Sequence, residues 1–168
     1  MSRLIEFYRG IGTDNAGRTL SQVWDFDDDA MEYHHDFIQW LFPLREPSQF
    51  NRHAPQLTES DIAEFRADPD LRDRLLRSLD RFLLFLGLER TKNEIAPRPG
   101  FPTRSDILRI PNHNWLRITR VLHCLRLLGI EDQGRKLLDC LEKLETEGRA
   151  RITPDTLRYW REATYPQC

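Results

Sequence analysis

Arg117 and Arg120 stand where charge is hardest to place. They lie in HNWLRITRVL (His113–Leu122), a run whose apolar residues fall on two sides of a helix, so both guanidinium groups project between apolar faces. An unpaired guanidinium is prohibitively costly to bury, so each needs a carboxylate, a route to water or an anionic ligand. A structural reading pairs them with Glu46, Asp36 or the acidic run at Asp25–Asp29. A functional reading makes them a cationic pocket for a carboxylate or phosphate. The structural reading is the simpler. His35 and Gln39 are four residues apart, so their side chains share one helix shoulder. They could read a ligand's polar groups, or pin the corner Pro43–Asn51 by hydrogen bonds, and pinning is again the simpler. Asp36 or Glu46 beside His35 would make an acid–base pair, and His35, Glu46 and Arg120 together an enzyme pocket. No nucleophile elbow and no glycine-rich loop after a strand accompanies them.

Other clusters carry less chemistry. His34, His35, His53 and His113 could be grouped as metal ligands, but adjacent histidines point to different helix faces and no HExxH spacing exists, so no metal and no cofactor is expected. His34 reads instead as a core histidine. The four carboxylates within Asp25–Asp29 suit the positive end of a helix. A calcium loop would need alternating ligands and a glycine at the turn. GTDNAGRT (Gly12–Thr19) has glycines near an arginine but no GKS or GKT, and reads as a loop. Cys124, Cys140 and Cys168 are an odd number with no CxxC pair, which argues against zinc and a disulfide framework.

The elements that must hold these residues are helical. A chain of 168 residues with net charge −2 is expected to form one domain, 1–168, with no global pull toward nucleic acid or anionic lipid. No apolar run spans a bilayer, and the first residues lack a signal-peptide core, so the chain reads as intracellular and soluble: cytoplasmic, or nuclear in a nucleated cell. The periodicity predicts a helix over 29–42, ended by Pro43, with Met31, His34, Phe37, Ile38, Leu41 and Phe42 on its inner arc. Further helices are expected over 3–9 and 20–26. Another follows the Thr58 cap to Ala67, and one runs from Pro69 to a stop at Gly87. The last three cover 112–128 between Asn112 and Gly129, 131–147, and the stretch after Thr153-Pro154. Residues 89–111 read as a long surface loop. The expected class is all-α, about seven helices, with 29–42 packed on 113–128 as two central helices.

Two segments carry a resemblance. HDFIQWLFPLREPSQFN (His35–Asn51) and HNWLRITRVL (His113–Leu122) resemble, in the same order, the two signatures of the opioid growth factor receptor conserved-region family. The resemblance implies a binding module rather than an enzyme, with a peptide or small anionic ligand as the candidate partner; the charge and hydropathy above argue against a membrane and against nucleic acid. Animal relatives are described as nuclear-associated receptors for an enkephalin peptide. A chain without the repeat-bearing tail of some of them need share only the fold. Matched to that pattern are His35, Gln39, Trp40, Arg45, Glu46 and Asn51 in the first segment. In the second they are His113, Asn114, Arg117 and Arg120, with Ile118 and Thr119. Arg52, His53 and Trp115 fall at variable positions. A nucleic-acid or protein interaction module is a further alternative, and the oligomeric state is left open.

Overall fold

The computed structural model describes residues 1–102 and 106–165. The reading of Cys168 therefore lies outside the described residues. The chain divides into two compact units, 1–81 and 82–168.

The first unit begins with α1 (Arg3–Arg9), whose first N–H groups are capped by Ser2 and whose exit is turned by Gly10 at φ 79°. The chain then passes to α2 (Leu20–Trp24), α3 (Asp28–Tyr33), α4 (Ile38–Leu41) and α5 (Glu59–Ala67). The leading part of α6 (Pro69–Phe85) completes it. Its core is aromatic: Phe7, Tyr8, Phe37, Trp40, Phe42 and Phe65 are all fully or almost fully buried. Three edge-to-face ring contacts lie within this set, Phe7 on Tyr8, Phe7 on Trp40 and Tyr8 on Phe65, at 5.0–5.9 Å between centroids.

The single helix expected over 29–42 is broken. His34 is extended at φ −81°, ψ 134°, and helix resumes only at Ile38. Three weak helix formers in a row, His34, His35 and Asp36, mark the break. Side-chain contacts then fix it. The His34 ring stacks on Phe26 at 5.1 Å, Phe37 meets the same ring edge-on at 5.3 Å, and Arg18 draws the Asp36 carboxylate outward at 2.8 Å. His34 is consequently half-buried rather than a core residue, while Gln39, expected on a shoulder, is buried, as is Trp40.

In the second unit α7 (His113–Leu127), α8 (Glu131–Thr146) and α9 (Pro154–Thr164) pack on one another, and the hairpin β1 (Leu88–Arg90)–β2 (Ile95–Pro97) lies against α8. The hairpin is antiparallel, Glu89 opposite Ala96. The long loop expected over 89–111 is thus a hairpin at its start. Leu88 and Ile95 bury their side chains, which a search for longer alternating runs passes over. Among the described residues there are nine helices rather than about seven. The split of the helix expected over 29–42 into α3 and α4 adds one to the eight segments expected from periodicity and caps. The class is all-α apart from this hairpin, and among the described residues no helix is long and apolar enough to cross a membrane.

Candidate functional site

The first signature folds as a corner rather than a rod. Leu44 bridges Gln56, with the Leu57 N–H donating to the Leu44 carbonyl at 2.8 Å, so residues 44–57 form a closed loop. The loop is fastened from inside by polar side chains. Gln39, buried, donates from Nε2 to the His35 carbonyl at 3.2 Å. Asn51 donates weakly, at 3.5 Å, to both the Asp36 carbonyl and Gln39 Oε1. Ser48 accepts from the N–H groups of Phe50 and Asn51 at 3.2 Å each. Arg45, exposed, grips Glu59 of α5 through two nitrogens at 2.7 and 3.3 Å. That hydrogen-bonded pairing holds the Glu59 carboxyl below the usual carboxylate range. Glu46 within this loop and His35 ahead of it are exposed. Of the first six matched residues, the structure joins Gln39, Asn51 and the His35 backbone, and it gives Arg45 to α5.

Trp40 is the exception in this corner. It is 1% exposed, yet its Nε1–H has no hydrogen-bond partner among the described residues. An indole carries a single polar atom, so nothing else on the side chain compensates. A buried donor left unmet costs about 1–3 kcal/mol. The other tryptophans of the chain do better: Trp24 donates to Ser78 Oγ at 3.0 Å, Trp115 to the Ile107 carbonyl at 2.8 Å and Trp160 to the Trp115 carbonyl at 3.2 Å. Above the Trp40 ring sits the guanidinium of Arg3, 5.5 Å from the centroid. Arg3 is exposed and donates from Nη2 to Asn15 Oδ1 at 3.1 Å, while Asn15 in turn donates to the His53 carbonyl.

Several residues that organise this unit carry no simple sequence signal. Asp14 is a buried carboxylate that accepts from the N–H groups of Ala16 and Arg18 at 2.9 Å each and from Arg18 Nε at 2.7 Å. GTDNAGRT is a loop as expected, but a tightly bonded one, and its Arg18 is the residue that reaches Asp36 in the signature. The Asp–Asn–Ala–Gly order was the available cue, since an Asp four residues before its partner with Gly at φ 79° reads as a side-chain-closed turn. Tyr8 gives its one proton to the Leu41 carbonyl, so the Ser78 hydroxyl, which accepts from Trp24, donates to Tyr8 at 3.1 Å. Asp61 closes the Thr58 capping box and also accepts from the Ser2 hydroxyl at 2.6 Å, which ties the caps of α1 and α5 together.

The second signature is regular. Asn112 caps α7, accepting from the Asn114 N–H at 2.9 Å, and its own amide donates to the carbonyls of Ile107 and Ile110. Asn114 and Arg117 are both buried, and Arg117 donates to Asn114 Oδ1 at 3.2 Å. His113 and Arg120 are half-buried, and these two, like Arg117, have further interaction partners within the protein. Leu116 of the narrower apolar face is 61% exposed. The acidic run serves as local structure: Asp27 caps α3 by accepting from the Ala30 N–H at 2.7 Å, and Asp28 pairs with Arg81 at 2.9 Å. Among the described residues no group of three or more histidine, cysteine or carboxylate side chains is placed to hold a metal. Cys124 and Cys140 are buried, unbonded to each other, and burial pushes the Cys140 thiol up to about 11.

The first signature is a corner tied by polar side chains and the second a regular helix, and comparison with known proteins gives the chain a family. The model of the opioid growth factor receptor (OGFr) conserved region matches residues 10–164. The opioid growth factor receptors of Mus musculus and Homo sapiens are 39% and 37% identical over 115 residues, which is 67% of this chain and 18% and 17% of theirs. Opioid growth factor receptor-like protein 1 of Xenopus tropicalis is 38% identical over 111 residues, 65% of this chain and 22% of its own length. The chain thus spans about a fifth of the length of the curated relatives it matches. No solved structure matches it. The chain belongs to the opioid growth factor receptor conserved-region family.

Proposed function

We propose that the chain is a peptide-binding module whose site is the corner built by residues 35–51. The observation that carries this reading is the match of residues 10–164 to the conserved region of proteins named as receptors for a growth factor. The corner supports it in two ways. Tyr33 and Phe50, 78% and 79% exposed, stand at its edges and offer aromatic surface at low conformational cost. The backbone between them is held by Gln39 and Asn51, so a ligand would not have to order it first. Arg117 and Arg120 are the alternative handle for a small anion.

Isothermal calorimetry tests the reading with enkephalin-type pentapeptides, a scrambled peptide of the same composition, and small anions. Saturable heat with the pentapeptide and none with the scrambled one is expected, weakened by Tyr33→Ala or Phe50→Ala. Absence of heat from every peptide, with the protein folded by circular dichroism, overturns it.

A further inference from the structure

We infer that the turn at residues 14–18 positions both aromatic edges of the corner, with Arg18 and Asn15 as its positioning residues, an inference that rests on the peptide-binding reading. The turn is closed on itself before it touches the corner. The Asp14 N–H donates to the Arg18 carbonyl at 2.8 Å and the Gly17 N–H to the Asp14 carbonyl at 3.1 Å. The buried Asp14 carboxylate fastens the turn from inside, on the N–H groups of Ala16 and Arg18. Thr19 follows at once as the cap of α2, so the turn is fixed to a helix.

Two arms leave the turn. Arg18, held on Asp14 through Nε at 2.7 Å, gives Nη2 to Asp36 at 2.8 Å and lies over the Phe26 ring at 5.5 Å. Phe26 stacks on His34, and Tyr33 meets His34 edge-on at 5.2 Å, so this arm ends at one exposed aromatic. Asn15 donates to the carbonyl of His53, whose own N–H bonds Asn51 Oδ1 at 3.2 Å. Asn51 follows Phe50, the other exposed aromatic, and the N–H groups of both go to Ser48. Arg3 orients the Asn15 amide by donating to Oδ1, which leaves Nδ2 for His53. Bond lengths decide which contacts set the corner. Asn51 reaches Asp36 and Gln39 only at 3.5 Å, the limit of a hydrogen bond. The Arg18 bonds are short and charge-assisted, about twice as strong as neutral ones. Entry and exit of the corner, at Asp36 and His53, are held from one point outside it. With an arm cut, a ligand touching both aromatics must first order them. Asp36 is 52% exposed, so its pair adds little to global stability, which separates positioning from folding.

The test is calorimetry of an enkephalin-type pentapeptide on the full chain, with melting curves beside it. Asp36→Asn and Asn15→Ala each remove one arm and leave Asp14 with Arg18. Each should weaken binding roughly fivefold, the cost of ordering freed side chains. The melting temperature should move by no more than about 2–4 °C. Asp36→Glu keeps the charge and should recover part of the affinity lost in Asp36→Asn. Glu142→Gln breaks an exposed pair of similar length, 2.7 Å to Arg161 in the second unit, and should leave affinity unchanged. In the free protein, amide exchange at Phe50 and Asn51 should quicken in Asn15→Ala. Parental affinity in both arm variants overturns the positioning role while leaving the peptide reading standing. An equal loss in Glu142→Gln overturns it as well. No binding by the parent chain overturns both.

Discussion

The two signature segments solve the same problem, presenting polar residues from a helical body, by opposite means. The first, residues 35–51, is barely helical, and side chains hold it: Gln39, Asn51, Ser48 and Arg45 all bond to backbone or to another element. The second, residues 113–122, is a continuous stretch of helix, in which Arg117 donates to Asn114 one turn back. Charge follows the same division. Residues 1–81 hold sixteen acidic side chains and ten arginines, and residues 82–168 hold eleven acidic and fifteen basic ones, a formal −6 against +4. The buried carboxylates among the described residues, Asp14 and Asp61, are both in the first unit, and α7 carries no acidic residue at all. A backbone that leaves the helix needs acceptors for its N–H groups, and aspartates supply them. A regular helix needs them only at its start, which Asn112 provides.

The comparison predicts where each unit is most fragile. In the second unit the largest loss should come from packing. Trp160 is fully buried, edge-on to Trp115 at 6.3 Å, and bonded to the Trp115 carbonyl. Trp160→Ala should cost about 3–5 kcal/mol, read from urea unfolding. A loss below 1 kcal/mol would mean that α9 does not hold α7 through this ring. In the first unit a polar deletion should come close to that value. Asp14→Ala removes the acceptor of three N–H groups and leaves Arg18 with Asp36 alone, which should cost about 3 kcal/mol, at the lower end for a broken buried pair because Arg18 is partly solvated. If Asp14→Ala is silent, the polar account of the first unit fails.

This contrast also explains what could be read from the chain alone. The helices fixed by apolar spacing and caps were legible. Ile62 and Phe65 on α5, Leu71, Leu75 and Leu79 on α6, and Trp115, Ile118, Val121, Leu122 and Leu125 on α7 are buried as their periodicity requires. The Thr58, Asn112 and Thr153 caps are in place. The break at His34–Phe37 left only a weak mark, three poor helix formers in a row, because the contacts that fix it come from Phe26 and Arg18 earlier in the chain, and an apolar arc at helical spacing survives the break unchanged. For the candidate site, the polar residues of the first signature could be named from the sequence, but their partners were not foreseeable. Nothing in sequence spacing assigns Glu59 to Arg45, or places Arg3 over Trp40.

The same division gives opposite pH limbs, the smallest of these effects. In the first unit Arg45 holds Glu59, and Arg9 holds Asp68, below the usual carboxylate range through side-chain hydrogen bonds. A depressed carboxylate stabilises the folded state above its unfolded value, and the gain disappears as pH falls through the folded one. The Arg45–Glu59 pair is exposed and the Arg9–Asp68 pair still partly solvated, so this acid limb should be shallow and should flatten in high salt and in Glu59→Gln. In the second unit burial first, and the Glu94 carboxylate second, push the Cys140 thiol from its ordinary 9.0 to about 11. Above the ordinary value the unfolded chain sheds that proton while the folded one keeps it, so stability falls as pH rises from about 9 toward 11. Melting curves of the parent and Cys140→Ala across that range isolate the thiol from other groups titrating there. The parent should lose stability more steeply than the variant, with the change seen at α8 by residue-resolved exchange. Parallel slopes would place no buried thiol at that position and remove the alkaline half of the contrast.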